Sequence, residues 1–281
     1  MPSTVDGKIL LGWMTKSEAL KTLLEEAVFA SPLSEQAAIA LWEQYKAKVA
    51  GLGARGCQNP AHTKLSLGEK MAGERHIKKH RKEGATNLRT LVKIEPDDLV
   101  VHQLQIVLDR ANNYAEKLVR PVDKIKMCLG TPGSAQLPFK KTGDTIIIPV
   151  PHSEYEIGIG PKREMQVREM ARHTSVTAFD GRLLLWAGYH RCYAIALVNQ
   201  EYPEEIERGL LAILTTDGDR FLGPASDLPE KRDIVRGACP PLFRDFFDDD
   251  LCMTLKLRKR RCELHLKTTN FQTSRVWVDD V

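Results

Sequence analysis

The run DGRLLLWAGYHRCYAIALV, Asp180 to Val198, passes through a turn, a strand, a bend and a helix. Asp180-Gly181 is turn chemistry. Leu183, Leu184, Leu185 and Trp186 form a short apolar run, the pattern of a strand covered on both faces. Gly188 stands where strand gives way to helix. Cys192 to Val198 are apolar all round, which marks a helix buried on most sides. Between strand and helix lie Tyr189, His190 and Arg191. A helix N-terminus presents unpaired N–H groups and a partial positive charge, and so favours anions. Arg191 adds a planar fork of donors suited to phosphate. Gly188, Tyr189, His190 and Arg191 are therefore the candidate phosphate- or nucleotide-binding residues. The alternative is structural: Arg191 pairs with an internal carboxylate and His190 caps a turn.

Working outward, Thr145 to Val150 is a β-branched strand, and Val176 to Phe179 is another. The spacing predicts a helix over Pro161 to His173, with Val167, Met170, Ala171 and Thr174 on one face. His152, Glu154 and Glu156 follow directly after the first strand. Strand-end loops carry function disproportionately, so these three are the candidate catalytic residues, as base or metal carboxylate. The competing reading is a surface turn.

The segment D-G-R, apolar strand, G-x-H-R-x-x-A resembles the signature of the ParB/sulfiredoxin-like superfamily. Here it is Asp180, Gly181, Arg182, then Gly188, His190, Arg191 and Ala194. That superfamily includes the nucleotide-binding domain of ParB partition proteins, sulfiredoxin and kinases of free serine. The resemblance spans roughly Thr145 to Leu214. It implies a mixed-sheet domain whose glycine-started helix holds nucleotide phosphates, with Mg²⁺ accompanying a triphosphate. NTP hydrolysis or phosphotransfer would be the reaction. Tyr189 stands where sulfiredoxin has its cysteine, which argues against sulfinic-acid reduction. No helix-turn-helix of the ParB kind is evident downstream.

Two helices are expected near the N-terminus. One runs over Ser17 to Val28, capped by Ser17, and one over Ser34 to Ala50. A third is expected from Glu95-Pro96-Asp97 to Leu118, because Val100, Leu104, Val107, Leu108, Ala111, Ala115 and Leu118 recur at helical spacing. Gly130 to Gly143 is rich in glycine and proline and reads as a linker. Towards the C-terminus, Met253, Leu255 and Leu257, then Cys262, Leu264 and Leu266, with Val276 and Val278, alternate as antiparallel strands. The expected class is α+β: a helical region over 1–129, a linker at 130–144 and a ParB/sulfiredoxin-like domain over 145–281.

The 281 residues carry 41 Lys and Arg against 37 Asp and Glu, a net charge of +4. That excess is too slight to demand nucleic acid. The basic residues cluster, however, at Arg75 to Lys82 and at Lys256 to Arg261. A non-enzymatic DNA-associated or partner-binding module using these segments is the second functional reading. Cys57, His62, His76 and His80 raise a zinc site, with the two later histidines one helical turn apart. No C-x-x-C anchors it, and a solvated basic helix is the preferred reading. The six cysteines are scattered and suggest no disulfide framework. Asp217 and Asp219 flank a glycine after an apolar strand, which is ordinary turn chemistry. No apolar run is long enough to span a bilayer, and no secretory leader is expected, so the cytoplasm is the expected location.

Overall fold

The computed structural model describes residues 3–55, 62–63, 65–80, 90–118, 125, 127–129, 137–150, 155–159, 165–169, 173–201, 209–215, 229–270 and 272–279. In chain order the elements are β1 (Thr4–Ile9), α1 (Lys16–Lys21), α2 (Glu35–Gly51), β2 (His62–Thr63), α3 (Leu67–His80), β3 (Thr90–Ile94), β4 (Val100–Val101), β5 (Gln105–Val107) and α4 (Leu108–Ala115). Then follow β6 (Lys140–Thr142), β7 (Thr145–Val150), β8 (Tyr155–Ile159), β9 (Met165–Glu169), β10 (Ser175–Phe179), β11 (Arg182–Ala187) and α5 (Tyr189–Glu201). The last are β12 (Leu210–Thr215), α6 (Pro229–Arg236), β13 (Met253–Arg258), β14 (Arg260–Lys267) and β15 (Thr273–Asp279). The class is α+β, with helices early in the chain and antiparallel strands at its end. Among the described residues, no helix is long and apolar enough to cross a membrane.

The chain forms two compact units. The larger comprises Val5–Leu129 and His173–Leu257; the smaller comprises Met1–Thr4, Gly130–Arg172 and Arg258–Val281. This grouping departs from a cut at 130–144. Residues 173–257 group with the N-terminal region, because β10, β11 and β12 share a sheet with β2, β3 and β4.

In the larger unit the six-stranded sheet has the order β2-β3-β12-β10-β11-β4. Asp180 (φ 51°) and Gly181 (φ 72°) both adopt positive φ, the requirement of the tight turn that joins β10 to β11. β11 is covered on both faces, as its apolar run requires. Leu183 and Leu185 join the main core, while Leu184 joins a second cluster with Val100, Phe179, Val235 and Leu242. Helix α5 adds Cys192, Tyr193, Ile195, Ala196 and Val198 to the main core. A second sheet, β13-β1-β5, completes this unit.

Local chemistry explains several boundaries. Thr15, not Ser17, caps α1: its hydroxyl accepts from Glu18 N at 3.2 Å, and the Glu18 carboxylate accepts from Thr15 N at 3.1 Å. The expected helix over Ser17 to Val28 stops early. After Lys21 it widens into a π turn over Thr22–Glu26, and Ala27 turns extended to bridge Leu257. Ser34 caps α2 through Ala37 N at 3.2 Å.

Two expected helices are corrected. From Glu95 to Leu118 only Leu108–Ala115 is helical. Val100 and Val101 pair in parallel with Leu184 and Leu185, and Gln105 to Val107 pair with β1. The β-branched residues there satisfy helical spacing on paper, but pairing at two sheet edges wins. Within Pro161 to His173, Met165–Glu169 is β9, hairpinned to β8 with Ile157 opposite Val167. Met165 and Val167 alternate with polar neighbours, the strand period, and Val167 packs on the smaller unit's core.

The smaller unit is built on the sheet β15-β14-β7-β6, with β8-β9 as a separate pair. Ile148, Val150, Cys262 and Leu264 form its core.

Candidate functional site

The bend at Gly188 is real and strained for any residue with a side chain. Its φ is 98°, and a Cβ there would lie 2.6 Å from Thr174 Oγ1 and 3.0 Å from Thr174 Cα. Glycine thus lets the start of α5 press on Thr174. Gly188 O accepts the first helical bond, from Cys192 N at 2.9 Å. The Thr174 hydroxyl faces this junction, fully buried, with no hydrogen-bond partner among the described residues.

Tyr189 points inward and is 3% exposed. Its hydroxyl donates to Leu185 O and accepts from His102 N at 3.0 Å and Gln103 N at 3.3 Å. Burial pushes its pKa far above the ordinary value, so the phenol stays protonated. His102 fills the space between rings: it lies 4.8 Å from the Trp186 ring and edge-on to Tyr189 at 5.6 Å.

His190 Nε2 accepts the Val107 main-chain N–H at 3.1 Å. An accepting Nε2 places the proton of a neutral ring on Nδ1. Burial, with the cations Arg110 and Arg191 adding to it, pushes the pKa down to about 3. His190 is therefore neutral at pH 7, and only Nδ1 has a proton to donate.

Arg191 is 6% exposed, with its guanidinium 5.5 Å from the centre of the Tyr114 ring. The ring comes from α4, which packs on α5. Arg110, also on α4, bears on the same imidazole. No acidic residue stands in the first turn of α5. The mouth of this helix thus brings together the Arg191 guanidinium, a helix N-terminus and a buried hydroxyl.

Arg182, the third residue of D-G-R, has a structural role. Its Nη1 donates to Gly237 O at 3.0 Å and to Val235 O, capping the end of α6. Arg236 lies 5.0 Å from the Phe179 ring and pairs with Asp180 at 3.4 Å. The turn motif holds a helix rather than a ligand.

Of the remaining site residues, His152 and Glu154 lie outside the described residues. Glu156 belongs to β8 of the smaller unit. Of the zinc candidates, Cys57 lies outside the described residues, His62 falls in β2, and His76 and His80 fall in α3. Among the described residues, no three His, Cys, Asp or Glu side chains gather closely enough to hold a metal ion. Asp217 and Asp219 also lie outside them.

The sequence does not assign Arg110, Tyr114, Thr174 or His102 to this site. His102, Arg110 and Tyr114 reach α5 from far away in the chain and Thr174 from just before β10, and no spacing signals them. No protein-family model, curated protein or solved structure matches the chain.

Proposed function

We propose that the larger unit binds a nucleotide or another phosphorylated ligand at the N-terminal turn of α5. The observation that carries this reading is the Thr174 hydroxyl, fully buried and without a hydrogen-bond partner among the described residues, beside Gly188 at the start of α5. The first turn of this 13-residue helix holds Arg191 and no acid. A helix N-terminus, a guanidinium and a hydroxyl donor together suit an anion with several oxygens. The Nδ1–H of neutral His190 is a further donor on the same turn. The resemblance of Asp180–Ala194 to the ParB/sulfiredoxin-like signature supports the same ligand class. Tyr189 serves by its main chain, because its side chain is engaged inside. Mg²⁺, where it takes part, would come with the phosphates of a triphosphate.

The test is ligand-induced stabilisation. Pyrophosphate and nucleoside di- and triphosphates, with and without Mg²⁺, are titrated while the melting temperature is followed. At least one should raise it in a concentration-dependent way. Arg110→Gln and Arg191→Lys, which keep the packing stems, should weaken that ligand about tenfold or more, the loss of one charge-assisted bond. No shift with any phosphate ligand, or the same shift in both variants, would overturn the proposal.

A further inference from the structure

The edge strand of a sheet is a template for pairing with another chain unless it is short, charged or covered. Among the described residues, most edges here are one of these. β2 and β4 are two residues long, β5 and β6 three, and β8 and β9 five. β6 also exposes Lys140 and Lys141. β13 is covered, since Ala27 bridges Leu257 and Val28 N donates to Lys256 O at 2.7 Å. β15 differs. It is the seven-residue run TSRVWVD at one end of the sheet β15-β14-β7-β6, and among the described residues only β14 pairs with it. It holds no proline, glycine or lysine, and Val276, Trp277 and Val278 run together in it.

The hairpin with β14 fixes which way the main chain of β15 points. Lys267 N donates to Gln272 O at 2.9 Å, so these two residues form a hydrogen-bonded pair. Hydrogen-bonded and non-hydrogen-bonded pairs alternate along an antiparallel ladder. The next pairs are Leu266 with Thr273 and His265 with Ser274. Counting on, the N–H and C=O groups of Ser274, Val276 and Val278 face β14. Those of Thr273, Arg275, Trp277 and Asp279 face outward, along about 20 Å of edge.

The residues of this edge match their own reverse. Arg275 and Asp279 each stand two positions from Trp277. When two β15 strands pair antiparallel about Trp277, Arg275 of each copy takes the position opposite Asp279 of the other, and Val276 that opposite Val278. Arg275, Trp277 and Asp279 are also residues whose main chain faces outward, so this register can hydrogen-bond. A parallel pair in register would oppose arginine to arginine and aspartate to aspartate. Opposite charges and β-branched residues in direct opposition stabilise a sheet, and like charges there destabilise it. The pairing also gives Val276, 37% exposed in the single chain, an apolar neighbour.

We propose that β15 is a dimerisation edge whose partner is β15 of a second copy of this chain, paired antiparallel about a twofold axis at Trp277. Two four-stranded sheets then join as one. The contact is isologous, so it closes at two copies. An unrelated extended strand could meet the same main-chain groups; the matched ends select the chain's own copy.

The experiment is sedimentation velocity of the full chain over a range of concentrations. The wild type should pass from monomer to dimer as concentration rises. Arg275→Glu puts two like-charged pairs into each dimer, and so does Asp279→Lys. Each should weaken association about tenfold or more. Mixed in equal amounts, the two variants should associate again with wild-type strength, because both pairs in the mixed dimer are of opposite charge. A variant that had failed to fold would show no such recovery. A wild type that stays monomeric throughout would overturn the proposal and leave the edge to a strand of another protein. Dimers as strong in both variants as in the wild type, or variants that fail to recover on mixing, would overturn it too.

Discussion

His190 shows how one residue can be fixed by what surrounds it. Its Nε2 completes the Val107 N–H, and burial with two neighbouring cations keeps the ring neutral down to about pH 3. In the unfolded chain a histidine titrates near 6.5. Between these values the unfolded chain binds a proton that the folded chain refuses. Stability is therefore complete above about pH 6.5 and falls as the pH drops towards 3, by about 1.4 kcal/mol per pH unit from this group. His190→Gln keeps an acceptor for Val107 N–H and removes the titration. Urea unfolding at several pH values should give the variant a shallower slope by about one proton across that window. Equal slopes in the two proteins would mean that the ring is accessible and charged in the folded state.

At the scale of elements, the turn over residues 243–247 depends on one buried ion pair. Arg55 Nη1 lies 2.8 and 2.6 Å from the two carboxylate oxygens of Asp245, which also accepts Leu242 N at 2.8 Å. Asp245 is 2% exposed, and burial raises its pKa despite the guanidinium, so desolvation outweighs the attraction. Arg55→Ala should cost about 3–5 kcal/mol, because it strands a buried charge. Arg55→Met with Asp245→Asn, which keeps an acceptor for Leu242 N, should recover a large part of that loss in chemical denaturation. No gain from the second substitution would refute the assignment of the cost to a stranded carboxylate. This pair also marks the limit of sequence reading, since nothing in the spacing joins Arg55 to Asp245. Elements whose instructions are local could be read: Asp180-Gly181, the Leu183–Leu185 run, Gly188 and the apolar Cys192–Val198 run of α5. Val100 to Val107 could not, because helical spacing and strand alternation both fit them and only β1 and β11 choose between the two. The site was half legible for the same reason. Gly188 and Arg191 sit in one short stretch, whereas Arg110, Tyr114 and Thr174 arrive through packing.

For the molecule as a whole, the two units have very different cores. Among the described residues, the larger joins most of the buried apolar side chains into one cluster, while the smaller gathers Ile148, Val150, Cys262 and Leu264, with Leu137, Ile146 and Val167 packed around them. A unit of about 70 residues is marginal by itself. The cysteines report on each separately. Cys128, Cys192 and Cys252 are buried in the larger unit and Cys262 in the smaller. Burial pushes the Cys192 thiol well up and the Cys252 thiol to about 12, so neither reacts as thiolate while folded. In the native protein a thiol reagent should therefore leave at least these four unmodified over minutes, and strong denaturant should expose all six cysteines. Under rising, sub-denaturing urea, Cys262 should label before Cys192 when the sites are read by peptide mass spectrometry. Opening of the smaller unit needs less free energy than opening the larger one. A single rate for both cysteines at every urea concentration would show instead that the two units open as one cooperative body.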